Sequence, residues 1–344
     1  MPKDNENIPP GPIAPTESPG FSAEQMIRCE ECLRANPPTR VSCIYCQARL
    51  PTSESWARLR QPALRAPEKH QTGHNNILLP LEGSVATTQI AEAAQLLKLS
   101  PENVRAVLAE SVPLPVARST SSADAELVVE RLNEMGLKCL AVSDEELGLS
   151  FSDYNIKRVK SMSMADAYLT IQQAGTVDHT DILWSEIVLI LPGRLRETRL
   201  EIKEAIGGKR EKELLDATEL FRDEVVLDFY SSNHSATWRV STGGFDFSCL
   251  GGEMTLIANE NIERLRRLLV EKSVNAQLDD SYGRVRNLLE LAWGSRQETQ
   301  ASGWQRERPG KLSVGVATTK TNEAQFTRYS RLRYYLCLRP ATSE

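Results

Sequence analysis

The stretch CEECLRANPPTRVSCIYC, residues 29–46, determines how the first part of the chain folds. It contains two Cys-x2-Cys pairs, Cys29 with Cys32 and Cys43 with Cys46, separated by ten residues. Structural zinc is held by four ligands in a tetrahedron, and each Cys-x2-Cys turn directs two sulfur atoms at one point. A ten-residue loop brings the second turn face to face with the first. The four cysteines therefore predict a structural Zn²⁺ site, which stabilises a segment too short to bury a core.

The same spacing, followed by Ala48-Arg-Leu-Pro51, resembles the short zinc-ribbon modules of bacterial regulatory and membrane-associated proteins. Those modules usually have glycine after the second cysteine of each turn, where this chain has Leu33 and Gln47. A full set of four thiolates leaves no open position for a substrate, so the site is structural and not catalytic. The alternatives are a pair of redox dithiols or a spacing that arose by chance. The ribbon is either a docking surface, for protein more than for nucleic acid because it is not strongly basic, or a stabilised knob without a ligand.

Length and composition indicate a modular soluble protein. The 344 residues suit two or three domains, and 40% apolar with 25% charged residues is typical of globular chains. The net charge of −5 is too small to imply a dedicated nucleic-acid binder. No apolar run approaches the roughly 18 residues that span a bilayer, and the first residues lack the features of a signal peptide. We therefore expect a cytoplasmic protein.

Residues 77–149 read as a short strand, two helices, a strand, a helix and a strand. Ser100-Pro101 supplies an N-cap followed by proline at the first helical position. Two prolines, two residues apart within 112–118, predict an edge strand, and Gly136 ends the last helix. This order resembles the C-terminal domain of the bacterial ribosomal stalk protein. The resemblance implies a small α/β sandwich and, by analogy, a role in recruiting other proteins.

The next region, residues 150–272, reads as strands followed by one helix. Strand-like runs lie at 156–162, 166–172, 184–191, 194–204, 223–230, 236–241 and 245–250. The helix after them has an apolar stripe that includes Ile262, Leu265 and Leu269. Seven strands and an amphipathic helix resemble the pleckstrin-homology-like barrel, and residues 169–187 resemble the second and third strands of its bacterial members.

Phosphoinositide binding is not expected of this barrel. Lys157, Arg158 and Lys160 lie on its first strand, but no second basic cluster follows before Arg194. The usual pattern for a lipid headgroup is therefore absent.

The rest of the chain, residues 273–344, reads as a helical extension with a helix around 281–293, a polar stretch over 294–321 and a basic aromatic helix over 322–336. The last helix carries Arg328, Arg331 and Arg333 among four aromatic residues. Basic side chains neutralise phosphates and aromatic rings stack on unpaired bases, so these arginines are candidate nucleic-acid contacts. In the simpler alternative, the aromatic residues pack on the barrel and the arginines lie along a solvated face.

Together these patterns predict a multidomain α+β protein. The predicted order is a disordered tail (1–24), a zinc ribbon (25–52), a linker (53–76), a small α/β domain (77–149), a pleckstrin-homology-like β-barrel (150–272) and a helical C-terminal extension (273–344). The leading functional hypothesis is a non-enzymatic, zinc-binding interaction or scaffold protein with a protein partner. The second is a nucleic-acid-associated protein that uses the ribbon and the basic helix. The third is an enzyme with a site between the two central domains, although no catalytic set stands out in the sequence.

Overall fold

The computed structural model describes residues 21–51, 60–65, 72–149, 156–206, 212–301, 305–308 and 311–339. Side chains are described for these residues except at 204–215, 235 and 305–314. The chain forms two compact units, residues 1–61 and 62–344. Most of the predicted tail at 1–24 lies outside the described residues. So do residues 53–59 and 66–71 of the predicted linker at 53–76. Over the described ranges, no helix combines the length and the apolar character needed to span a membrane.

The first unit is built on very little regular structure. Strand β1 (Ile27–Arg28) pairs antiparallel with β2 (Ala35–Asn36). Its buried apolar cluster consists of Cys29, Cys43 and Leu50 with three partly buried neighbours. So small a core removes little apolar surface from water and cannot by itself offset the entropy of ordering the chain.

The second unit begins with a three-stranded antiparallel sheet in the order β4-β3-β5, accompanied by three helices. The elements are β3 (His74–Leu78), α1 (Thr87–Leu97), α2 (Pro101–Leu108), β4 (Leu114–Ser119), α3 (Ser122–Glu134) and β5 (Cys139–Ser143). Three local predictions are confirmed here. The Ser100 side chain caps α2 by accepting from the Asn103 N–H at 3.2 Å, β4 lies at the sheet edge, and Gly136 follows α3 with a φ of +77°.

Strand β3 begins earlier than the apolar run from Ile77 predicts. Asn75 and Asn76 are fully buried within it. The Asn76 side chain donates to the Ala125 carbonyl at 2.8 Å, and Asn75 accepts from the Trp293 indole N–H at 2.8 Å. These hydrogen bonds allow polar residues to occupy a central strand.

A larger mixed sheet forms the rest of the second unit and curls into a half-barrel. Its path is β13-β15-β9-β10-β11-β6-β7-β8, with β12 paired to β9 and β14 to β15. The strands are β6 (Ile156–Met164), β7 (Tyr168–Gln173), β8 (His179–Leu183), β9 (Ile187–Ile206), β10 (Lys212–Ser231), β11 (His234–Ser241), β12 (Gln277–Leu278), β13 (Arg296–Ala301), β14 (Gln305–Arg308) and β15 (Lys311–Thr321). Pairing is antiparallel except for β11 with β6 and β12 with β9. The chain is therefore a mixed α/β protein, while its predicted domain composition stays a prediction.

Helix α4 (Ala258–Lys272) packs on the inner face of this sheet. Its predicted apolar stripe is buried with Trp184 and Trp238 from the sheet region. Leu227 and Phe229 on β10 point into the same core, as their alternation predicts.

Strand β9 corrects the prediction of separate strands at 184–191 and 194–204. Residues 184–186 form a 3₁₀ turn, and one strand then runs through the Pro192-Gly193 pair to residue 206. Gly193 is needed at this point because a Cβ there would lie 2.2 Å from the Phe326 ring. The glycine allows an aromatic side chain to pack directly on the strand backbone.

The strand predicted at 245–250 is also wrong. Residues Phe247–Glu253 form a 3₁₀ helix, which the Asp246 side chain caps by accepting from the Ser248 N–H at 2.9 Å. Phe245 and Phe247 are nevertheless both buried, with ring centroids 4.8 Å apart. The two rings, two residues apart in the sequence, are therefore both in the core, although no strand places them there.

The polar stretch predicted at 294–321 forms strands instead. Strand β15 pairs with β9 from Leu312 to Thr321, and β13 pairs with β15. Five of the six residues of β13 are exposed. A strand in contact with water on both faces has no apolar alternation, so the sequence pattern could not mark it.

Two more helices, α5 (Tyr282–Leu289) and α6 (Glu323–Leu338), belong to the core rather than to its periphery. Phe326, Tyr329 and Leu332 of α6 are fully buried in one cluster with the strands and helices of residues 77–149. Beneath α6, Arg239 and Asp228 form a buried bidentate ion pair with N–O distances of 2.7 and 2.8 Å. Helix α6 is therefore the central helix of the second unit.

Candidate metal centre

The structure brings the four predicted cysteine ligands to one point. The Sγ atoms of Cys29, Cys32, Cys43 and Cys46 all lie within 4.8 Å of one another. The closest pairs, Cys29 with Cys46 and Cys32 with Cys43, are each 3.5 Å apart and link the two turns rather than closing either one. Zinc–sulfur bonds of about 2.3 Å in a tetrahedron require sulfur atoms about 3.8 Å apart. These four residues could hold a metal ion.

The two Cys-x2-Cys turns have the same backbone structure, and we call residues 29–34 the first knuckle and residues 43–48 the second. In each knuckle the carbonyl of the first cysteine accepts from the N–H four residues later, at 2.9 Å. The N–H of that cysteine donates to the carbonyl five residues later, at 3.0 Å in the first knuckle and 2.8 Å in the second. Because both knuckles have these hydrogen bonds, the two pairs of cysteine sulfurs are oriented in the same way toward one centre.

Leu33 and Gln47 occupy matching positions of the two knuckles, where the zinc-ribbon modules that the sequence resembles usually have glycine. Both adopt the left-handed backbone, with φ of +59° and +65°. This conformation costs a residue with a side chain about 1–2 kcal/mol. The knuckle geometry is thus kept at both positions without the residue that adopts it most readily.

Asn36 supports the second knuckle from the loop between the turns. Its Nδ2 donates to the Cys43 Sγ at 3.4 Å, and its Oδ1 accepts from the Ile44 N–H at 2.9 Å. The Tyr45 N–H also donates to the Cys43 sulfur at 3.4 Å. Burial alone would raise the pKa of the Cys43 thiol, but hydrogen bonds from the backbone N–H groups of Cys46 and Tyr45 and from Asn36 lower it to about 6. These hydrogen bonds therefore favour the thiolate of Cys43, which is the form that binds metals.

The neighbouring sulfur atoms affect the pKa of the Cys46 thiol. A backbone hydrogen bond from Ala48 lowers the pKa of Cys46, but desolvation and the neighbouring sulfurs of Cys29, Cys32 and Cys43 raise it to about 12. Like charges at this distance disfavour further ionisation. A cation bound between the four sulfurs would remove that repulsion and allow all four to be thiolates.

The arginines predicted as nucleic-acid contacts lie on α6. Arg331 is only 3% exposed, with its guanidinium 5.7 Å from the centre of the Tyr230 ring. Arg333 donates to the buried Asp279 carboxylate, and Arg328 is half-buried. The expectation that these arginines lie along a solvated face is therefore wrong, because two of them pack against the core. Nucleic-acid contact through them stays a prediction.

Asn36 is the residue of this centre that sequence reasoning missed. It precedes two prolines in the loop between the turns, and a polar residue before prolines reads as part of a loop. Its contact with a sulfur appears only when the loop folds back on the second knuckle. None of the protein-family models, curated proteins or solved structures compared with the chain matches it. Function is therefore inferred from the metal centre itself.

Proposed function

We propose that the chain is a non-enzymatic, zinc-binding interaction protein. Cys29, Cys32, Cys43 and Cys46 hold one structural Zn²⁺ as thiolates. The observation that carries the proposal is the convergence of four sulfurs within 4.8 Å at separations near those of a zinc–thiolate tetrahedron. Four protein ligands complete the coordination, so the ion has no position left for a water molecule or a substrate.

The metal would supply the stability that the first unit lacks. Structural zinc contributes about 10–16 kcal/mol of apparent binding free energy in small peptides, and this is also folding free energy. With only Cys29, Cys43 and Leu50 fully buried in the apolar cluster, the ribbon depends on that contribution. A closed metal site acts through the surface that it orders, which is why we propose an interaction role.

The other predicted modules remain part of the proposal. We take residues 77–149 as a small α/β sandwich and residues 150–272 as a pleckstrin-homology-like module, both serving protein contacts in the cytoplasm. Support comes from the helices packed on the three-stranded sheet and from the curled sheet that α4 covers. A cytoplasmic setting agrees with a thiolate site, because disulfides are rare there.

Metal analysis of the full chain, purified under reducing conditions, tests the proposal. We expect one zinc per chain in the wild type and none in a Cys32→Ser/Cys43→Ser variant. Cys249→Ser is the matched control, since this half-buried cysteine lies in the second unit and outside the cluster. It should keep its zinc.

Removal of the metal by a chelator gives a second readout. NMR resonances of residues 21–51 should collapse to the random-coil region, while those of the second unit keep their dispersion. A metal-free chain in which the ribbon remains folded would refute the proposal. Stoichiometric iron in place of zinc would refute the choice of metal, since iron also accepts four thiolates.

A further inference from the structure

Leu33 has no structural justification within the ribbon. Its backbone is left-handed, and the residue is 69% exposed to solvent. Leucine therefore costs free energy in the backbone and adds nothing to the buried cluster. Glycine would remove the backbone cost and lose no packing, so the side chain is better explained by a contact outside the ribbon.

The second knuckle also exposes two large side chains. Ile44 and Tyr45, the two residues between Cys43 and Cys46, are 50% and 51% exposed. The Arg34 guanidinium lies 4.7 Å from the centre of the Tyr45 ring, so a residue of the first knuckle covers a residue of the second. We call Leu33, Arg34, Ile44 and Tyr45 the knuckle patch.

The chemistry of the knuckle patch is that of a protein-binding hot spot. Tyrosine and arginine are enriched where interfaces hold most of their binding energy, and large apolar side chains supply the surrounding buried area. Arg34 stacks on an aromatic ring and takes part in none of the ion pairs found in the part of the chain that the structure describes. A ligand that complements the patch therefore brings a negative charge together with an apolar group.

We propose that the knuckle patch binds a peptide segment of a partner protein that carries an aromatic or aliphatic side chain next to Asp or Glu. This inference rests on the zinc ribbon of the proposed function. The carboxylate pairs with Arg34, and the apolar side chain covers Leu33 and Ile44. Nucleic acid fits less well, because Glu30 and Glu31 are exposed on the first knuckle and four thiolates around one Zn²⁺ add two negative charges.

A selection from a displayed library of random peptides tests this, with the zinc-loaded full chain as bait. The enriched peptides should share an apolar residue within two positions of Asp or Glu. Tyr45→Ser and Leu33→Gly should each weaken the binding of such a peptide by about tenfold or more, measured by fluorescence anisotropy. Gln47→Gly is the matched control, because it changes the equivalent left-handed position outside the patch, and it should bind like the wild type.

The proposed ion pair between Arg34 and the peptide carboxylate has its own test. Replacing the peptide carboxylate by its amide should weaken binding to the wild type, and Arg34→Gln should remove that preference. A double-mutant cycle of this kind isolates the ion pair from other effects of the two changes.

Three results would overturn the inference. The first is a zinc-loaded wild type that enriches no such peptide, which would leave the zinc ribbon standing. The second is equal loss of binding in Gln47→Gly and Leu33→Gly. The third is displacement of the peptide by a single-stranded oligonucleotide with a steep dependence on salt. Conversely, peptide binding through Tyr45 and Leu33 in a chain without zinc would refute the metal site and leave the patch standing.

Discussion

Glycine at the two left-handed knuckle positions should tighten zinc binding. The left-handed backbone costs Leu33 and Gln47 about 1–2 kcal/mol each, and the greater freedom of glycine in the unfolded chain offsets about 0.5–1 kcal/mol of the gain. Each substitution should therefore stabilise the folded ribbon by about 0.7 kcal/mol. Under the proposed coupling of zinc binding to folding of the first unit, this appears as an affinity about threefold higher, and about tenfold higher for the double variant.

The assay is a competition for zinc between the protein and a chromophoric chelator of known affinity, at fixed pH. Leu33→Ala and Gln47→Ala are the matched controls, because alanine has a Cβ and keeps the left-handed cost. They should bind zinc about as the wild type does. The free-energy gains of the two glycine variants should add, so that their gains in affinity multiply, since the two positions lie on different knuckles.

An unchanged or lower affinity in both glycine variants would refute the reasoning. Such a result would mean that the left-handed backbone at these positions has no free-energy cost that zinc binding must offset. Equal gains from alanine and glycine would refute it as well, because they would point to the lost side chain rather than to the backbone.

Three further predictions concern the second unit. Arg239→Met leaves the buried Asp228 carboxylate unpaired and should lower the free energy of unfolding by about 3–5 kcal/mol in urea titrations, while Asp228→Leu in the same chain should recover most of the loss. Gly193→Ala drives a methyl group into the Phe326 ring and should cost about 1–3 kcal/mol by the same assay, with partial recovery in the Phe326→Leu background. Burial raises the pKa of the Cys139 thiol to about 12, so an aromatic disulfide reagent at about pH 8 should modify it only after unfolding. The fold favours the neutral thiol of Cys139. The contribution of this thiol to the free energy of unfolding is therefore complete below the unfolded pKa of about 8.5 and is lost as pH rises through about 12.

The features that the sequence predicted correctly are local. The Ser100 cap, the Gly136 stop and the edge position of β4 each depend on one or two residues and on backbone rules that apply in any fold. The convergence of the four cysteines followed in the same way from their spacing. In each case the deciding residues lie within one short segment of the chain.

The features that the sequence did not predict depend on residues that are far apart in the chain. Strand β13 is exposed and has no apolar period, so only its pairing with β15 makes it a strand. Arg331 reads as a surface residue until α6 is placed in the core, where arginine can pack over the Tyr230 ring. Neither outcome is encoded by the residues next to it, and no internal repeat or periodicity could have revealed it.

The central position of α6 has a consequence for biosynthesis. Residues 323–338 leave the ribosome long after Ile77 and Val142, whose shared core Phe326 completes. At roughly 5–20 residues per second, that delay is on the order of tens of seconds. During it, the nascent sheet and its three helices expose the apolar surface that α6 will later cover. We therefore expect the growing chain to engage chaperones that bind apolar segments, and to acquire resistance to proteolysis only after α6 has emerged.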